Sequence, residues 1–66
     1  MSLDHTAEQL EAAHRQNDQC MAVRIILRHI TAAKKYPSLR ACRHLVRSYW
    51  SDPATGLNLI HHWNPN

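Results

Sequence analysis

An all-α fold is what this sequence predicts, and three observations carry it. A single glycine, Gly56, occurs in 66 residues. Ala, Leu, Arg, Gln and Glu, all good helix formers, recur along the chain. Apolar residues return at three- and four-residue spacing in three stretches, divided at Asn17-Asp18 and at Tyr36-Pro37-Ser38. The expected architecture is a small three-helix unit in one domain spanning residues 1–66. Helices two and three form an antiparallel helical hairpin, an amphipathic N-terminal helix lies alongside, and a short C-terminal tail packs back.

Helix one is expected at about 4–16, with Thr6 and Gln9 at capping-box spacing and Asp4 as a competing cap. Leu3, Ala7, Leu10, Ala13 and His14 gather on one side, while Asp4, Glu8 and Glu11 lie a quarter-turn away. The apolar stripe is narrow and rich in alanine, so this helix must pack closely against something. Its acids are also placed to fold over a basic face and mask it.

Helix two is expected at about 19–35, capped by Asp18. Its broad apolar face is Cys20, Val23, Ile26, Leu27, Ile30 and Ala33; a smaller strip of Met21, Ile25 and Ala32 lies on the far side. Pro37 is expected to end it, because the residue before proline is pushed out of the helical region. Ser38 then caps helix three, about 39–50, whose apolar face is Leu39, Cys42, Leu45, Val46, Tyr49 and Trp50. Arg40, Arg43 and Arg47 recur at i, i+3 and i+7 on its other face, with His44 beside them.

Residues 51–66 read as a docked tail. Ser51 to Gly56 is a turn with Pro53 restricting the backbone and Gly56 free to take positive φ. Leu57 to Trp63 alternates, favouring an extended strand over a single helical turn, and Asn64-Pro65-Asn66 is expected to fray.

A chain of this length buries only about 60% of its unfolded surface, and small domains offset that with disulfides, metals or association. Two cysteines, Cys20 and Cys42, are too few for a disulfide framework. No charged-then-apolar leader opens the sequence, and the charge-free apolar run Ile25-Ile26-Leu27 is far short of the roughly 20 residues of a membrane span. A cytoplasmic protein with free thiols and no membrane partner is expected, and a homodimer, or folding on a partner, supplies the missing burial.

Six histidines invite a metal reading, but no His-x3-His or Cys-x2-Cys spacing occurs, so no metal site is expected. No Gly-rich phosphate loop, nucleophile motif or carboxylate pair points to catalysis, and the chain is too small to enclose a substrate pocket. No enzyme activity, cofactor or small-molecule substrate is expected.

Charge distribution carries the functional reading. Seven of the eight Lys and Arg residues lie between Val23 and Trp50, while all five acids lie outside 19–51. The expected function is that of a non-enzymatic small basic regulator binding nucleic acid through the arginine stripe of helix three. Arg40, Arg43, His44 and Arg47 would make the contacts, with Lys34 and Lys35 adding to them. A helix-turn-helix is one form this could take, although its usual turn glycine is missing. The alternative is a protein–protein module, an adaptor or inhibitor, using an apolar patch rimmed by arginines. Met21, Ile25, Tyr49, Trp50 and Trp63 are the candidate anchors.

Overall fold

Helix α1 (Leu3–Arg15) opens the computed structural model, which describes residues 3–65. It is followed by α2 (Gln19–Ala32), α3 (Leu39–Ser51) and α4 (Pro53–His61), with no strand among the described residues. Among the described residues no helix is long and apolar enough to cross a membrane.

The first boundary is built by backbone geometry. Asn17 adopts φ 54, the left-handed conformation that asparagine tolerates best after glycine. The Asp18 amide then donates to Ala13 O at 2.9 Å and the Asn17 amide to His14 O at 3.0 Å, the paired bonds of a Schellman motif. Asp18 begins α2 directly, its Oδ1 accepting from the Met21 amide at 3.0 Å. Thr6, read as a helix cap, lies instead within α1, fully buried, its hydroxyl in hydrogen-bond contact with His29 Nδ1 at 3.0 Å. Small and able to bond, it lets α1 approach α2 closely while partnering the imidazole.

Helix α2 stops at Ala32, short of the expected Lys35. A second Schellman motif ends it: Lys34 takes φ 61, its amide donates to Thr31 O at 2.8 Å, and the Lys35 amide reaches Ile30 O at 3.3 Å. Pro37 therefore follows a chain that has already left the helix. Ser38 caps α3, its Oγ accepting from the Ala41 amide at 3.1 Å.

The fourth helix replaces the expected turn and extended tail. Asp52 joins α3 to α4 as a single residue, its amide donating to Ser48 O at 3.0 Å. Pro53 opens α4, where its missing N–H costs nothing and its fixed φ suits the helix. Gly56 is helical rather than left-handed and is buried against the Tyr49 backbone. Asn64 and Pro65 carry no helix, and Asn66 lies outside the described residues.

Packing runs in chain order: α1 against α2, α2 against α3, α3 against α4, with α4 returning to touch α2. Trp50, late in α3, bonds to Asn17 just ahead of α2, so the end of one helix lies beside the start of the other. Leu10, Ala13, Ala22, Ile25, Ile26, Ile30, Cys42, Leu45, Val46, Tyr49 and Ile60 form one core, with Val23, Trp50, Leu57 and Trp63 against it. The buried face of α2 thus differs from the expected one. Cys20, Leu27 and Ala33 face solvent, while Ala22 and Ile25 are buried. Having neighbours on both flanks, α2 turns its small Ala22 inward and leaves the larger Leu27 outside.

Candidate nucleic-acid interface

Burial of Cys42, Leu45, Val46 and Tyr49 fixes the rotation of α3, and with it everything on the opposite side. Arg40, Arg43, His44 and Arg47 are all exposed. No Asp or Glu occurs between residues 19 and 51, so neither α2 nor α3 carries a carboxylate. Helix α1, which holds most of the acids, packs on α2 and meets α3 through His14. It covers apolar surface of α2 and does not lie over the arginines as a mask.

Arg43 and Arg47 also line an open groove of about 260 Å³ between α2 and α3. Gln19, Cys20 and Val23 form one wall; Val46 and Trp50 complete the other. The charges along the helix alone would not reveal this groove, because Cys20 and Val23 read as core residues until the pairing of α2 with α3 is known. Trp50 is held firmly at its edge. Its Nε1–H donates to Asn17 Oδ1 at 3.1 Å, and its ring centroid lies 4.6 Å from that of His14 and 5.9 Å from that of Tyr49.

The two lysines separate. Lys34 is exposed at the left-handed position that ends α2. Lys35 is half-buried, and its Nζ donates to Trp63 O at 2.9 Å, tying the segment after α4 to the α2–α3 connection. Its ammonium serves the fold there.

The anchors of the protein-contact reading are mostly turned inward. Ile25 and Tyr49 are 4% and 5% exposed, and Trp50 and Trp63 are half-buried against the core. Met21 alone of the five is well exposed. Burial raises the Tyr49 hydroxyl above its usual pKa, with the negative charge of Glu11 adding to the effect. Cys42 is fully buried, which pushes its thiol up and keeps it protonated despite the arginines on its helix. Cys20 is free and exposed. Among the described residues no three His, Cys, Asp or Glu side chains come together as a metal-holding group.

No family model, no curated protein and no solved structure matches this chain.

Proposed function

We propose that this chain is a non-enzymatic, small basic regulator that binds nucleic acid through the exposed face of α3. The observation that carries the reading is the row Arg40, Arg43, His44 and Arg47, all exposed, with no acid on either helix of the pair. Guanidinium groups make bidentate, charge-assisted contacts with phosphate oxygens, and three of them on one face match a polyanion better than a point ligand. Lys34 stands near enough in sequence to extend the row, whereas Lys35 is engaged by Trp63.

The test is binding of a labelled random-sequence duplex and single strand across a salt series, beside the Arg40/Arg43/Arg47→Gln variant. Affinity should fall steeply with salt. The variant should lose roughly 2–3 from the slope of log K against log salt, about 0.7–0.9 per phosphate contact. Binding that the variant retains unchanged would overturn the reading.

A protein-contact reading draws on a different observation: Tyr36 is 73% exposed and Leu39 55%, both beside the start of α3. Aromatic and arginine side chains commonly anchor interfaces. On this reading the partner meets Tyr36 and Leu39 with Arg40 at the rim, and losing Tyr36 matters more than losing Arg43. Association of two copies belongs to the same proposal, through Met21 and Ala32, the members of their apolar strip that stay exposed. Sedimentation as a monomer at micromolar concentration would remove it. The free thiols Cys20 and Cys42 suit a reducing, cytoplasmic setting.

A further inference from the structure

We infer that the groove between α2 and α3 receives one unpaired nucleotide of a single strand, its base against Trp50 and its phosphates on Arg43 and Arg47. The inference rests on the nucleic-acid reading of α3 and names the form of nucleic acid that reading leaves open.

Size limits the occupant first. At about 260 Å³ the groove falls below the roughly 300–1,000 Å³ of sites that enclose drug-sized ligands, leaving room for a single small ring system. Charge limits it next. Arg43 and Arg47 stand one turn apart on the rim, about 6 Å along the helix axis, and no carboxylate lines the groove. An anionic occupant with a flat apolar part satisfies both conditions.

The state of Trp50 then decides what kind of recognition is possible. Its one donor is already used on Asn17, and His14 and Tyr49 hold the ring in place. Trp50 therefore has no hydrogen bond to offer a base edge. What remains is its π surface, which every base can stack on regardless of sequence. Bases inside a duplex are already stacked and paired, and cannot enter a recess between two helices. An unpaired base can. Val23 and Val46 supply apolar contact along the groove, and Gln19 adds a side-chain amide to its α2 wall.

Cys20 supplies a probe that leaves the protein unaltered. It is exposed and lines the groove, while Cys42 is fully buried and serves as an internal control. Alkylation of Cys20 by iodoacetamide would be followed by mass spectrometry at low salt. Samples would contain no nucleic acid, oligothymidylate, a duplex of equal length, or an acidic polyglutamate peptide, with binding read in parallel by fluorescence anisotropy.

The expected result is several-fold slower alkylation with bound oligothymidylate and little change with bound duplex. Replacing Trp50 by Leu, after a check that the variant folds, should weaken single-strand binding roughly 5- to 150-fold while changing duplex binding far less. Bound single strand that leaves Cys20 unprotected, or protection no greater than the duplex gives, overturns the inference while the α3 phosphate reading survives. Equal protection by polyglutamate assigns the groove to acidic protein segments and also overturns it. No binding by either nucleic acid overturns both readings together. If Trp50→Leu does not fold, the footprint on the unaltered chain decides alone.

Discussion

Gly56 on α4 meets the backbone of Tyr49 on α3 so closely that no side chain fits between them. A β carbon at Gly56 would stand 2.6 Å from the Tyr49 nitrogen and 2.8 Å from its Cβ, closer still to its Cα. The nitrogen and Cα belong to the backbone and the Cβ is fixed to it, so none of the three can swing aside. The single glycine of the chain is therefore the seam along which the last helix joins the fold.

Gly56→Ala should consequently destabilise the protein, although alanine is the better helix former by about 1 kcal/mol. Forcing α4 away from α3 should outweigh that gain and cost about 2 kcal/mol net, within the usual range for overpacking. Thermal unfolding of the variant by circular dichroism measures it. A stability equal to or above the parent would contradict the close approach.

Lys34 gives the opposite case. It occupies the left-handed position that ends α2, where a residue with a β carbon is disfavoured by roughly 1–2 kcal/mol. Glycine removes that penalty and returns part of it as extra freedom in the unfolded chain. Lys34→Gly should raise stability by about 0.5–1 kcal/mol, read as an increased urea midpoint at unchanged slope. The same variant should weaken nucleic-acid binding if Lys34 extends the cationic row.

His29 should make stability depend on pH. Desolvation holds its pKa below the ordinary 6.5, and the nearby positive charge of His61 acts in the same direction. The folded state thus favours the neutral ring, paired with the Thr6 hydroxyl. Stability is full above the unfolded-state pKa of 6.5 and is lost as pH falls through it toward the lower folded value. Melting temperature should drop between about pH 7.5 and 5, and His29→Gln should flatten that drop. An unchanged slope in the variant would assign the effect to the other histidines.

Removing residues 1–17 tests what α1 is for. Leu10 and Thr6 are fully buried and Ala13 nearly so, on a helix that packs against α2. Leu10 alone is worth roughly 2–5 kcal/mol on truncation to alanine. Deletion should unfold the protein, seen as loss of the cooperative thermal transition. A folded fragment with tighter nucleic-acid binding would restore α1 as a mask.

Legibility followed the range of the interactions involved. Asp18 and Ser38 cap their helices through bonds to residues three positions on, so the starts of α2 and α3 could be read directly. Helix α3 has a single apolar face and a single cationic one, and its burial follows that division except at exposed Leu39. Helix α2 has apolar residues nearly all round, so periodicity alone could not choose between Ile25 and Leu27 for the core. Helix α4 was hidden by its own signals. Asp52-Pro53 is a good helix start, and Thr55 donates to Asp52 Oδ2 at 2.7 Å, holding that carboxyl below its usual pKa. Gly56 four residues later nevertheless reads as a turn when its neighbour across the chain is unknown.

The sequence by itself determined the all-helical class, the caps that begin α2 and α3, and the separation of arginines from acids. Each depends on residues within one or two turns of each other or on composition alone. Tertiary structure decided which arc of α2 is buried, that the C-terminal segment is a helix, and that Cys20 faces Arg43 and Arg47 across a groove. Those outcomes depend on distant residues competing for the same space. The approach of Gly56 to Tyr49 and the bond from Trp50 to Asn17 exist only once the helices have met.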